Sequence, residues 1–442
     1  MPAPSPVPDS PSAARRRFGF ETRMLHAGHI PDAEVGARAV PIYQTTSFVF
    51  DDPETAAQLF ALKQYGNIYT RIANPTTAVL EERVASLENA TGAVATASGM
   101  AAQFVTFMTL LEAGDEVVAS AHLYGGSVTQ LTHTLRKLSV DVRFVNPTRL
   151  DDWERAISPR TRALFGETIG NPRGSILDLE PLAALAADRR LPLIVDNTFA
   201  TPWLCRPLDW GATIVVHSAT KFLGGHGTSI GGLLAESGRF DYSGFRTIAE
   251  PSPAYHGLNF YENFGHYGFL MKARAETVRD TGACLSPMNA FLLLQGVETL
   301  SVRMERHVTN ALGVARFLAE HPAVAWVEYA GLPDHPEHGL ARKYLGGRPG
   351  AVFAFGIKAS GGDARAAGAR FIQALQVFSH LANVGDARSL VIHPASTTHQ
   401  QLSDEELARG GVAPEMIRLS VGLETLEDLL WDLDQALRAT SR

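Results

Sequence analysis

Ser218-Ala219-Thr220-Lys221-Phe222-Leu223-Gly224-Gly225-His226-Gly227 places one amine among hydroxyls and glycines, directly after the apolar run Ala212-Thr213-Ile214-Val215-Val216. The run reads as a buried strand, so the lysine is delivered from a strand end into a loop. An amine held there and partly desolvated has a lowered pKa and becomes a nucleophile for a carbonyl. The flanking hydroxyls and free glycine amides suit a phosphate. A lysine beside a phosphate cradle is what a Schiff-base site for pyridoxal phosphate (PLP) requires; the same residues also describe a surface lysine in a flexible glycine loop. Leu193-Ile194-Val195-Asp196-Asn197-Thr198 lies 25 residues before Lys221 and is a second short apolar run, ending in a carboxylate. An aspartate against the pyridine nitrogen keeps it protonated, so that the ring can accept carbanion electrons. Alone, Asp196 would pass for a strand-terminal turn residue. Paired with Lys221 on the next strand end, it sits where open α/β sheets bind ligands, at the carboxyl ends of strands.

Further segments carry compatible chemistry. Ala97-Ser98-Gly99-Met100-Ala101 precedes a helical stretch, with Ser98 as its N-cap; the free amides at such a helix start form an anion site, or simply a capped helix. Tyr69-Thr70-Arg71 offers a phenol and a guanidinium on one side of an extended segment, and arginine makes bidentate phosphate contacts. Tyr124, in Leu123-Tyr124-Gly125-Gly126-Ser127, can stack on a planar ring or fill a core. Asn171, in Glu167-Thr168-Ile169-Gly170-Asn171-Pro172, can donate to a phenolate oxygen or serve a turn. Arg418 interrupts the apolar strand Met416-Ile417-Arg418-Leu419-Ser420-Val421. A buried arginine needs a partner, either a substrate carboxylate or a protein one. Of the six lysines, Lys63, Lys137, Lys221, Lys272, Lys343 and Lys358, only Lys221 follows an aspartate-ended neighbouring strand.

The elements that must position these groups are legible as alternation. Helical spacing recurs at Leu80, Val84 and Leu87, at Met100 to Leu111, and at Val128, Leu131, Leu135 and Leu138. Strand-like runs lie at 116–119, 142–145, 163–165, 193–195, 212–216 and 232–234. Such alternation predicts an α/β domain with a mainly parallel sheet covered on both faces. A long helical stretch around 289–318 leads into a smaller α+β region, with strands expected at 325–328, 351–357 and 417–421, and a last helix carrying Leu426 to Leu437. The expected division is a disordered arm at 1–17, a segment of little periodicity at 18–75, a large domain at 76–290 and a C-terminal domain at 291–442. The chain of 442 residues is 45% hydrophobic with net charge −7. That balance argues for a soluble protein and against nucleic acid or an anionic membrane as partner, and no apolar run is long enough to span a bilayer. Two cysteines without a Cys-x-x-Cys spacing and scattered histidines predict neither a disulfide framework nor a metal site. No secretory signal is seen, and the expected location is the cytoplasm.

Together the segments YTRIANPT, ASGMAA, YGGS, ETIGNP, IVDNTFATP, HSATKFLGGHG and IRLSVGLE resemble the Cys/Met-metabolism family of PLP-dependent enzymes, over roughly Thr22 to Leu437. The resemblance implies the aminotransferase-like fold type I and a homotetramer built from dimers with shared active sites. It makes Lys221 the Schiff-base lysine, Asp196 the pyridinium partner, and Gly99, Met100, Ser218 and Thr220 phosphate ligands beside Ser98. Tyr124 becomes the stacking tyrosine and an aid to proton transfer, Tyr69 and Arg71 the pair given to the neighbouring subunit's phosphate from the 18–75 segment, with Tyr69 also on the substrate side, and Arg418 the carboxylate-binding arginine. Within the family, Ala254-Tyr255-His256-Gly257, Lys343-Tyr344-Leu345-Gly346 and Leu381 to Leu390 running into His393 to His399 resemble the O-acetylhomoserine sulfhydrylases. Cystathionine enzymes typically carry Glu-Ser-Leu-Gly where this chain has Ala382-Asn383-Val384-Gly385, a segment that faces the substrate and adds Asn383 to the candidates. The implied reaction is γ-replacement on O-acetylhomoserine by sulfide or methanethiol. Cystathionine γ-synthase or methionine γ-lyase chemistry is the alternative within the family. A non-catalytic binding protein on the same fold would be expected to have lost the lysine, the aspartate or the phosphate loop, and all three are present.

Overall fold

Seven short apolar runs form the first sheet: β1 (Gly92–Thr96), β2 (Glu116–Ser120), β3 (Asp141–Val145), β4 (Thr161–Glu167), β5 (Leu193–Asp196), β6 (Ile214–Ser218) and β7 (Gly232–Glu236). The computed structural model describes residues 18–358, 363–397 and 413–440. The arm expected at 1–17 and the Thr398-His399 end of the C-terminal motif lie outside the described residues. The strand order is β1-β7-β6-β5-β4-β2-β3. β7 runs antiparallel to both its neighbours and every other pairing is parallel.

The central strands read as unbroken apolar runs because both faces are covered. Leu193, Ile194 and Val195 are all fully buried. Phe165, Ile194, Ile214 and Val216 pack with Ala102, Val105 and Phe107 of the Gly99–Leu110 helix. Leu164, Leu193, Val195 and Val215 pack on the other face with Leu179, Leu182 and Ala186 of the Leu179–Asp188 helix.

The second sheet holds β8 (Val324–Glu328), β9 (Val352–Ile357), β10 (Ser379–His380), β11 (Leu390–Ile392) and β12 (Met416–Ser420), in the order β10-β11-β12-β9-β8. The Leu300–Glu320 and Leu426–Ala439 helices bury Met304, Leu318, Leu429 and Leu433 in one cluster with Phe353, Phe355, Ile417 and Leu419. Phe222 and Leu223 belong to that same cluster. The loop that carries Lys221 is therefore anchored by the core of the second sheet, each of these two side chains contributing roughly 2 kcal/mol by burial. Among the described residues no helix is long and apolar enough to cross a membrane.

Several elements differ from the sequence expectation. β1 was absent from the expected strands, since Gly92-Ala93-Val94-Ala95-Thr96 has small side chains and little β-branching. β10 and β11 are too short for a periodic signal. The long stretch at 289–318 is two helices, Pro287–Val297 and Leu300–Glu320. The helix expected from Val128 to Leu138 passes through a π-helical segment at Gln130–Thr134. Gly19 to Tyr65 contains two short helices, Phe20–His26 and Pro53–Phe60.

Candidate active site

The carboxyl ends of β4, β5 and β6 open onto a cavity of about 320 Å³, a volume within the usual range for a small ligand. Ser98, Gly99, Met100, Tyr124, Asn171 and Asp196 line it, as do Ser218, Thr220, Lys221, Asn383 and Arg418. Residues spread over more than 300 positions of the chain thus converge, which is the outcome expected of ligand chemistry rather than of separate turns and caps.

Each wall has a local cause. Ser98 caps the Gly99–Leu110 helix, its Oγ accepting from Ala101 N at 3.1 Å. This leaves the amides of Gly99 and Met100, both of which line the cavity, without intrahelical partners. The helix start can lie against β6 only because residue 99 is glycine: a Cβ there would sit 2.6 Å from Ser218 Cβ. Gly232 plays the same part on β7, where a Cβ would meet Ser98 O at 2.1 Å. Ser218 is fixed by its N–H donating to Thr198 Oγ1 at 2.8 Å, and Thr220 by bonds between its hydroxyl and Gly231. The amides and hydroxyls so gathered form a cradle suited to a phosphate.

Lys221 Nζ donates to Asn383 Oδ1 at 2.5 Å. Arg418, from the middle strand β12, reaches Asn171 Oδ1 at 3.2 Å and Asn383 O at 3.5 Å. Among the described residues neither cation forms an ion pair with a protein carboxylate, so the cavity presents positive charge to an anionic ligand. Burial, reinforced by the Arg418 charge, lowers the Lys221 amine to about 8, and burial lowers Arg418 to about 10. Asp196 is fixed by Thr198, whose N–H donates to Oδ1 at 2.9 Å. Burial raises its carboxyl above the ordinary range, against the opposing pull of both Thr198 hydrogen bonds and of His217. A cation placed against Asp196 would offset that burial cost. These features fit PLP: an amine for its aldehyde, a cradle for its phosphate, an acid for its ring nitrogen and the half-exposed Tyr124 ring for its face.

The lowered amine has a measurable consequence. At pH 7 roughly one Lys221 amine in ten is unprotonated, far more than for a free lysine. Only that form attacks an aldehyde. The rate at which the apoenzyme condenses with PLP is expected to rise with pH through about 8 and then level off. A rise continuing past pH 10 in stopped-flow absorbance would contradict the desolvated amine.

Tyr69 and Arg71 stand apart. They line a separate hollow with Phe48, Phe50, Phe60 and Arg279, Arg71 lying 5.2 Å over the Tyr69 ring and donating to Arg279 O. Within one chain they are not among the residues that line the cavity around Lys221. The cavity also contains residues that sequence reasoning did not single out: Gln103, Ser127, Glu167, Ile169, Thr198, Phe199 and Ile230. Ser127 Oγ donates to Gln103 Oε1 at 3.0 Å and stiffens the wall behind Met100. Glu167 and Thr198 both lie in segments already marked by Asn171 and Asp196, but nothing local distinguishes them from ordinary residues near a strand end.

Comparison with known proteins finds relatives along nearly the whole chain. The model of the Cys/Met metabolism PLP-dependent enzyme family matches residues 21–438. O-acetyl-L-homoserine sulfhydrylase 1 of Thermus thermophilus is 53% identical over 422 residues, covering 95% of this chain and 99% of the relative. O-acetyl-L-homoserine sulfhydrylase of Leptospira meyeri is 49% identical, covering 96% and 97%. A crystal structure of an O-acetylhomoserine (thiol)-lyase from Campylobacter jejuni, containing a pyridoxyl-lysine monophosphate, superposes with a TM-score of 0.92 at 39% identity, covering 95% of this chain and all of that one.

Proposed function

This chain belongs to the Cys/Met metabolism PLP-dependent enzyme family, and from that premise we propose that it catalyses γ-replacement on O-acetyl-L-homoserine, sulfide giving L-homocysteine and acetate, and methanethiol giving L-methionine. The observation that carries this reading is the meeting in one cavity of the Lys221 amine, the Asp196 carboxyl and the Arg418 guanidinium, neither cation being paired with a carboxylate among the described residues. The preference for the acetyl ester rests on the sulfhydrylase relatives, which match along nearly their whole length.

PLP, when bound, supplies the electron sink that makes the Cα and then the Cβ proton of an amino acid removable. The rest belongs to the protein. Lys221 Nζ anchors the cofactor and, when free, is the base for both protons. Asp196 holds the proton on the ring nitrogen. The Gly99 and Met100 amides hold the phosphate with Ser98, Ser218 and Thr220. Tyr124 covers the ring and assists proton transfer, and Asn171 donates to the phenolic oxygen. Arg418 grips the substrate carboxylate in bidentate fashion, and Asn383 lines the substrate side next to Lys221. Ile169, Phe199, Ile230 and Val384 keep water from the reacting carbons.

Tyr69 and Arg71 are given to the phosphate in a second copy of the chain, completing a site shared across a dimer within a homotetramer. What supports this is that they line a hollow separate from the chain's own cavity, together with the exposed rings of Phe50 and Phe60. A cytoplasmic location is inferred from the free, separated cysteines Cys205 and Cys284.

Arg418→Ala is expected to raise KM for the amino acid by about ten-fold or more while kcat changes less, because a desolvated charge partner of the carboxylate is lost. Steady-state kinetics check it, and an unchanged KM would remove Arg418 from substrate binding. The reaction itself is tested by product analysis. The holoenzyme is given O-acetylhomoserine or O-succinylhomoserine with sulfide, methanethiol or cysteine. Homocysteine from the acetyl ester and sulfide is the expected main product; cystathionine, or α-ketobutyrate in place of replacement, would overturn the proposal.

A further inference from the structure

Glu167 closes β4 on the cavity wall, yet no step above uses it. Its Oε1 accepts the Tyr124 N–H at 2.6 Å, and its carboxyl also accepts from the Asn171 backbone. The β4–β5 register sets it opposite Asp196, so the two acids project from neighbouring strands onto one side of the sheet, with backbones about 4.8 Å apart. One carboxyl thus touches the segments bearing two proposed cofactor contacts and flanks a third. Both acids line the same cavity, and Glu167 is 8% exposed. Two ionised carboxylates on paired positions of neighbouring strands, one of them buried, repel, which favours a proton on one of them. Their surroundings decide which. Asp196 has the Thr198 hydroxyl and N–H together with His217 to favour its charge. Among the described residues Glu167 has only backbone N–H groups, and burial and the Asp196 charge push its carboxyl well above the ordinary range. Lys221 and Arg418 also face the cavity, but their polar contacts go to Asn383 and Asn171.

We propose that Glu167, as an uncharged acceptor, is a positioning residue that holds Tyr124 and Asn171 at the wall of the cofactor ring and leaves Asp196 as the charged acid beside the ring nitrogen. This rests on the PLP reading of the cavity and adds to it a residue that touches none of the reacting atoms.

The test uses apoenzyme of the wild type, Glu167→Gln and Glu167→Ala, titrated with PLP and followed by visible circular dichroism, with the melting temperature of each apoenzyme as the control for folding. Glutamine is uncharged and still offers an acceptor to Tyr124 N–H. Its PLP Kd and dichroic band are expected within about two-fold of the wild type. Alanine removes the acceptor from the part-buried Tyr124 N–H and from the Asn171 N–H, and its Kd is expected to rise by about ten-fold or more with a weakened band. A Glu167→Gln protein as impaired as Glu167→Ala would show that the charge is needed, and wild-type affinity and dichroism in Glu167→Ala would show that the contacts position nothing; either overturns the inference. If Glu167→Ala fails to fold, the glutamine arm still decides. A wild-type protein that binds no PLP would instead strike the functional reading, so the two failures are distinct.

Discussion

Lys221→Ala is expected to fold, to carry no covalently held cofactor and to lose turnover by on the order of 10⁴-fold, the upper range for removing a positioned acid–base group. The fold should tolerate it. The side chain is only part-buried, forms one hydrogen bond, to Asn383 Oδ1, and has no ion pair among the described residues. The loop is held instead by Phe222 and Leu223 in the core beneath the second sheet. Deleting an amine whose burial already disfavours its charge removes a local penalty rather than a support. Visible absorbance after desalting, turnover and melting temperature, measured together, check this. Turnover near the wild-type rate would exclude Lys221 as the base.

Asp196→Asn should cost about 10²- to 10³-fold in kcat, as the loss of one preorganised electrostatic contact to a developing charge typically does. Asparagine keeps the size and can still accept the Thr198 N–H that now holds Oδ1 at 2.9 Å. It cannot stabilise a proton on the ring nitrogen. The substitution should therefore leave PLP bound but shift its absorption and slow Cα proton removal, which a deuterium isotope effect on turnover reports. The sign is fixed by charge: a neutral amide opposite a ring cation removes an attraction and adds none. Turnover within about two-fold of the wild type would mean that Asp196 does not face that nitrogen.

Much of this arrangement could be read before any coordinates, for a physical reason. Asp196 and Lys221 each follow a short run of fully buried residues, so composition marks both strand ends, and parallel sheets gather such ends on one edge. Ser98 and Gly99 were visible through capping chemistry, and Arg418 because a charge inside an apolar strand requires a reason. Glu167 was not visible. Its significance comes from lying opposite Asp196, which depends on β4 and β5 being neighbours, and an acid at a strand end has no local mark of that. Gln103 and Ser127 sit on helices where polar residues are ordinary. β1 escaped because glycine, alanine and threonine supply little strand signal without the pairing with β7 that stabilises them. The break between Val297 and Leu300 escaped because apolar spacing continues on both sides of Glu298-Thr299. Local chemistry announced itself wherever a residue type was costly in its setting; what arises from strand order alone did not.

The central claim is that the Lys221 amine forms a bond to the cofactor. Borohydride reduction of the holoenzyme followed by peptide mass mapping tests it most directly. The expected result is one pyridoxyl group on the peptide containing Lys221, with Lys63, Lys137, Lys272, Lys343 and Lys358 unmodified. A label on any of those five instead, or no label on a protein reconstituted with PLP, would contradict it.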